Sequence, residues 1–259
     1  MKIKFSRVMA SVPINRISVP IDRISVVIPA YNEEKRLEKT LVKVIRFCKR
    51  KFKNYEIIVV NDCSKDKTAS IAFGYKKEGV RLISNKANKG KGYSVKNGIM
   101  HAKYPLVLFS DSDLATPIDE LTKFLDYIKQ GFDVVIASRR MKQSNVKTKQ
   151  PFFRQLLGKT FPLLVNIIAL PDFKDTQCGF KLFKTSLAKK IVKLQTFERF
   201  SFDVELLFIA KKMGAKIKEA PVTWIDQEGS KVHPIKDSYR MLRDLVMLRI
   251  NNINGKYYV

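Results

Sequence analysis

Five short apolar runs punctuate the first half of the chain: ISVVI at 24–28, EIIVV at 56–60, VRLIS at 80–84, LVLFS at 106–110 and DVVIAS at 133–138. The segments between them, near 34–50, 66–78, 91–103 and 118–130, are long enough for helices. Short β-branched runs separated by helical segments predict an α/β fold with a mostly parallel sheet. A further strand is expected over 179–183, after a polar turn. Ligands of such sheets bind beyond the carboxyl ends of the strands, so the residues after each run carry the most information.

Those residues are strongly polar. The five runs are followed by PAYNEE (29–34), NDCSKD (61–66), NKANKGKG (85–92), DSD (111–113) and SRR (138–140). Acids suited to a metal and cations suited to phosphates therefore converge on one edge. No Walker A sequence and no GxGxxG follows a strand, which excludes the usual ATP-hydrolysis and dinucleotide signatures.

The ends of the chain read differently. An extension is expected over 1–22, and the tandem echo SVPINRI (11–17) and SVPIDRI (18–24) runs through it to the first strand, its prolines making poor central strands. The globular domain is expected over 23–230, with a basic amphipathic segment over 231–259. There Ile235, Tyr239, Leu242, Val246 and Ile250 share one helical face, and Lys236, Arg240 and Arg243 are expected opposite. Two readings stand: a terminal helix packed on the core, or a helix lying on an anionic membrane surface. The apolar stretch 161–170 is about half of the roughly 20 residues a spanning helix needs. Neither a transmembrane helix nor a signal peptide is expected.

Composition adds one strong signal to an ordinary globular profile. Fifty Lys and Arg against 24 Asp and Glu give a net charge of +26, a field that attracts polyanions. Nucleic acid, anionic lipid and phosphorylated small molecules all fit that sign. The basic residues are dispersed without aromatic interleaving, and no nucleic-acid motif is present, so no nucleic-acid partner is expected. Three cysteines (Cys48, Cys63, Cys178) form no framework and suit a reducing compartment. His101 and His233 lack ligand spacing, so zinc is not expected.

Asp111 and Asp113 alternate along the chain, which in an extended segment places both side chains on one side. They suit a hard divalent ion such as Mg2+ or Mn2+, or else cap the helix that follows Thr116-Pro117. Asp62 either accepts hydrogen bonds from a base or caps the next helix. Asp175 lies in a turn that Asp and Gly alone would stabilise.

Taken in order, VVIPAYNEEKRL, YEIIVVNDCSKDKT, NKGKGYSVKNG and LFSDSDLATP resemble the family 2 inverting glycosyltransferases of GT-A fold. DTQCGFKLFK, ERFSFDVELLFIAKKMG and VTWIDQEGSKVHPIKDSYRML are similar to the branch acting on dolichyl and other polyprenyl phosphates. The resemblance runs from about Ile24 to Leu248 and lacks the QxxRW motif of processive synthases. No N-terminal transmembrane anchor like that of the eukaryotic enzymes is expected.

The resemblance implies a donor site built from Pro29, Ala30, Tyr31, Glu33, Asp62, Gly90, Lys91, Gly92, Asp111, Ser112 and Asp113. Asp111 and Asp113 would hold Mg2+ or Mn2+, with Asp113 the direct ligand. Ala115 stands where the mannosyl branch often has Gln. Arg139, Arg140, Arg154 and Lys181 are implied phosphate contacts, and Asp175 is implied to orient the acceptor. The implied reaction carries a hexose, with glucose from UDP-glucose favoured over mannose from GDP-mannose, to a polyprenyl phosphate. It would take place on the cytoplasmic side of a membrane. A nucleotidyltransferase is disfavoured because PAYNEE replaces the Gly-rich loop expected after the first strand.

Overall fold

A computed structural model describes residues 19–147, 164–227 and 234–258. Its elements in chain order are β1 (Arg23–Ala30), α1 (Leu37–Lys51), β2 (Asn54–Asn61), α2 (Thr68–Gly74), β3 (Val80–Ser84) and α3 (Lys91–His101). Then follow β4 (Leu106–Ser110), α4 (Leu121–Lys129), β5 (Val134–Ser138), β6 (Asn145–Lys147) and β7 (Phe180–Lys184). The chain continues through α5 (Thr185–Leu194), α6 (Phe202–Lys212), β8 (Ile217–Pro221), β9 (Thr223–Ile225) and α7 (Pro234–Ile253). The helix expected over 66–78 is shorter: α2 stops at Gly74 and the segment finishes as a 3-10 turn over Lys76–Glu78.

The main sheet has the order β3-β2-β1-β4-β7-β5-β8. Every neighbouring pair is parallel except those of β7, which runs antiparallel to both β4 and β5. That reversal positions the site. The start of β7, rather than its end, lies at the carboxyl ends of β4 and β5, with Phe180 opposite Ser110. Residues 175–179, a turn by local pattern with Asp175 implied at the site by the resemblance, are thereby delivered to the polar edge.

Strands β1, β4 and β5 are buried along almost their whole length because helices cover both faces of the sheet. Val26, Ile28, Leu41, Val44 and Phe124 pack on one face. Val27, Ile58, Val95, Phe109, Phe183 and Phe202 pack on the other. The period of two along β1 sends neighbouring side chains into opposite cores. Helix α7 joins the second core through Leu245 and Leu248, and Tyr257 anchors the chain beyond it.

Candidate active site

Among the described residues, three non-glycines have left-handed backbone conformations: Asn32 (φ 52°), Cys63 (φ 61°) and Leu114 (φ 48°). They sit just past the ends of β1, β2 and β4, the loops singled out by sequence. Such backbone strain concentrates at functional sites.

The first two loops are laced together. The Asn32 amide donates to Ser64 Oγ at 2.9 Å, the Glu33 amide to Thr68 Oγ1 at 2.7 Å, and the Glu34 amide to Asp66 at 3.0 Å. Pro29 and Ala30 end β1 in the core, and Tyr31 is half-buried. Glu33 is buried and held by the Arg36 guanidinium at 2.8 Å. Asp62 does not cap α2. The carboxylate next to that helix is Asp66, which accepts from the Thr68 amide at 2.9 Å in the turn that leads into it. Asp62 instead shapes the third loop, accepting from Asn85 Nδ2 (2.8 Å), the Lys89 amide (3.0 Å) and the Gly90 amide (2.7 Å).

In that loop Gly90 has φ +101°, and a Cβ there would come within 2.6 Å of the Glu198 carbonyl. At Gly92 a Cβ would lie 2.7 Å from the Phe197 carbonyl and from Phe202. The two glycines let the chain pass tightly under the 197–202 segment, which places Lys91 at the start of α3 facing the end of β4.

Past β4 the backbone turns rather than running extended: the Leu114 amide donates to the Asp111 carbonyl, and Asp113 accepts from the Ala115 amide at 3.0 Å. No side chain caps the helical segment that follows, so the capping alternative is not realised; Asp113 only closes the turn, and Ser112 is buried beside it. Asp111 lies directly over Gly179, where any Cβ would sit 2.0 Å from Oδ2. Lys91 Nζ is 2.7 Å from Asp111 Oδ1, an electrostatic contact rather than an aligned hydrogen bond. Burial first, and then the neighbouring Asp111 charge, raise the Asp113 carboxyl, partly opposed by the Ala115 amide, Lys91 and Arg36. Burial works against the Lys91 ammonium, yet Asp111, Asp203 and Asp113 keep it raised.

At the end of β5, Asp175 is fully buried and accepts four hydrogen bonds: Arg139 N (3.0 Å), Nε (2.7 Å) and Nη2 (2.9 Å), and the Gln177 amide (3.2 Å). Burial alone would raise this carboxyl, but Arg139 outweighs it and holds the group down to about 2. The guanidinium also stacks on Trp224, 5.5 Å from its ring centre. Arg140 stays exposed next to it. Lys181 corrects the expectation of a phosphate contact. Its ammonium is fully buried, bound to Asp203 and, at 2.7 Å, to the Cys178 carbonyl. Arg154 lies outside the described residues, as do His233 and most of the SVPI echo.

A family model described as "Glycosyl transferase family 2" matches residues 25–192. This chain belongs to glycosyl transferase family 2.

The dolichyl-phosphate beta-glucosyltransferase of Dictyostelium discoideum is 36% identical over 243 residues, covering 88% of this chain and 74% of that protein. Proteins of the same name from Homo sapiens and Saccharomyces cerevisiae are each 35% identical over 89% of this chain and cover 76% and 75% of their own lengths. Among solved structures, glucosyl-3-phosphoglycerate synthase from Mycobacterium tuberculosis, with Mn2+, UDP-glucose and phosphoglyceric acid, aligns with TM-score 0.65. It is 17% identical, and the alignment covers 89% of this chain and 79% of that one. Mannosyl-3-phosphoglycerate synthase from Rubrobacter xylanophilus aligns with TM-score 0.64 at 18% identity, over 92% and 75%. The glycosyltransferase has the GT-A fold.

The β4 turn of this glycosyltransferase fits a divalent ion. Two carboxylates share the turn, Asp113 raised by burial first and then by the Asp111 charge, and a lysine ammonium already lies against Asp111, whose Oδ1 accepts no hydrogen bond. Among the described residues no cluster of three or more His, Cys, Asp or Glu forms a closed cage. A two-carboxylate site leaves the remaining positions to substrate phosphates and water, which is how Mg2+ is usually held. Sequence reading missed Gly179, Asp203 and Trp224. All three lie inside the quoted motifs, but only Gly179 had a signal of its own, as a glycine at the edge of a strand pattern, which marks close backbone approach.

Proposed function

We propose that this glycosyltransferase transfers glucose from UDP-glucose to dolichyl or another polyprenyl phosphate, with inversion at the anomeric carbon, giving a lipid-linked sugar for glycan assembly. The observation that carries this reading is the likeness to dolichyl-phosphate β-glucosyltransferases across about nine-tenths of the chain. An acceptor phosphate oxygen forms the bond to the anomeric carbon as the bond to the UDP oxygen breaks, and UDP leaves with the electron pair.

Asp111 and Asp113 would hold Mg2+ or Mn2+ against the donor diphosphate, and the ion would neutralise charge on the departing UDP. Lys91 adds a fixed cation beside them. The Gly90–Gly92 loop and the β1–β2 loops shape the nucleotide pocket. Arg139, locked by Asp175 and Trp224, and exposed Arg140 offer positive charge to the acceptor phosphate. Three unpaired cysteines, one of them exposed Cys63, suit the reducing cytoplasmic face of a membrane.

Asp175, ionised down to about 2, is too weak a base to take a proton near neutrality, and its bonds go to Arg139. Its contribution to stability is present above the ordinary carboxylate range and lost as pH falls toward 2. The acid limb of kcat/KM is therefore expected near pH ~6, from the second ionisation of the acceptor phosphate. It should move upward when a phosphonate acceptor of higher second pKa is used. A limb that ignores the acceptor would assign the titration to the protein.

The function is tested by incubating the protein with labelled UDP-glucose or GDP-mannose, polyprenyl phosphate and Mg2+ or Mn2+, then extracting the lipid. Label from UDP-glucose in a β-linked lipid product is expected. Label from GDP-mannose alone would replace the donor, and none from any donor would overturn the reading.

A further inference from the structure

Helix α7 has two apolar faces, and only one is used inside the molecule. Met241, Leu245, Leu248 and Asn251 are buried. The stripe that stood out in the sequence points the other way: Tyr239, Leu242, Val246 and Ile250 are exposed, Tyr239 at 72%, and Ile253, not part of that reading, continues it at 78%. The side opposite this stripe is not a row of cations, as expected, but the buried face. The cations flank the stripe instead. Between Tyr239 and Ile253 the exposed residues of α7 include Arg243 and Arg249 and no acid.

The patch extends beyond the helix. The Arg249 guanidinium donates to the Ile168 carbonyl, which sets Ile167, 71% exposed, next to α7. Ser201 Oγ binds Asp244 at 2.8 Å, so the same helix abuts the 197–202 segment that rests on Gly90 and Gly92. No described helix is long and apolar enough to cross a membrane.

We propose that the outer face of α7, from Tyr239 to Ile253 together with Ile167, is a docking surface for an anionic lipid bilayer, on which the helix lies flat. An apolar stripe edged by arginines matches the boundary between acyl chains and negative headgroups. A second copy of the chain fits less well. Pairing two such faces would bring arginines together on molecules that each carry a net charge of +26. The inference deepens the lipid-acceptor reading and rests on it for its purpose: the donor edge would be held at the surface where the acceptor phosphate emerges.

The test is vesicle flotation of the full chain. Wild type is expected to float with vesicles containing about 30% phosphatidylserine, far less with phosphatidylcholine alone, and less at about 0.5 M salt. The triple variant Leu242→Glu/Val246→Glu/Ile250→Glu is expected to lose binding about tenfold or more. Its melting curve and its transfer to a water-soluble short-chain isoprenyl phosphate should stay within about twofold of wild type. As a second readout, an environment-sensitive dye on Val246→Cys in a Cys63→Ser chain should shift to the blue on anionic vesicles only.

Flotation of the triple variant equal to wild type would overturn the docking surface. So would a wild-type dimer that the substitutions dissociate, with no vesicle binding. Vesicle binding without transfer to any acceptor would defeat the functional reading and leave the surface standing. Transfer to the short acceptor with no effect of the stripe would do the reverse.

Discussion

Replacing Gly179 with alanine is expected to lower kcat/KM for sugar transfer by about 10²–10³-fold, the loss typical of one preorganised charge-stabilising group. The added Cβ would lie 2.0 Å from Asp111 Oδ2, 2.2 Å from Cγ and 2.4 Å from Oδ1. Strand β7 cannot step back to make room. The Gly179 carbonyl accepts the Asp111 amide at 3.0 Å, and the next residue is locked opposite Ser110. The carboxylate must therefore swing off its seat and away from Lys91. Circular dichroism should be unchanged, whereas steady-state kinetics with UDP-glucose should show the loss. Gly74→Ala is the control, since a Cβ there meets nothing within 4 Å. Wild-type kinetics in Gly179→Ala would show that Asp111 does not need its present place.

The second large effect is on stability. Lys181→Met removes the partner of a carboxylate buried to 3% exposure, and breaking a buried pair from one side costs about 3–5 kcal/mol. For a chain of this size that is a fall in Tm of roughly 6–20 °C. Burial raises the Asp203 carboxyl even in the intact pair, ahead of the opposing pull of Lys181 and Lys91. Without Lys181 it rises further, so the folded variant takes up a proton that the unfolded chain releases. The deficit should then grow as pH rises above the ordinary carboxylate range. Lys181→Met/Asp203→Leu should recover most of the loss, because no charge is left unpaired. A variant as stable as wild type at both pH 5 and pH 8 would contradict this reading.

The sheet was legible because its strands are β-branched runs, and the candidate site loops because polar residues cluster after them. Direction was not. That β7 runs antiparallel depends on how a strand pairs across β4 and β5, and no local pattern records it, so the seating of Gly179 under Asp111 came only with the fold, whereas Asp175 was implied at the site by the resemblance. Lys181 shows the converse limit: a lysine beside a candidate site reads as a phosphate ligand until its burial against Asp203 is seen. For α7 the stripe was visible in the spacing of Tyr239, Leu242, Val246 and Ile250. Which face docks was decided by Leu245 and Leu248, whose period the stronger stripe concealed. The positive φ of Cys63 and Leu114 has no sequence signature, since neither is a residue that favours it.

The central claim is that Asp111 and Asp113 hold the donor diphosphate through a divalent ion, and UDP titration by calorimetry tests it most directly. Wild type is expected to bind UDP about tenfold or more tightly with Mn2+ than with chelator, a coupling of about 1.4 kcal/mol or more. In Asp113→Ala that difference should vanish. UDP affinity independent of metal in the wild type, or equally metal-dependent in both proteins, would contradict the account.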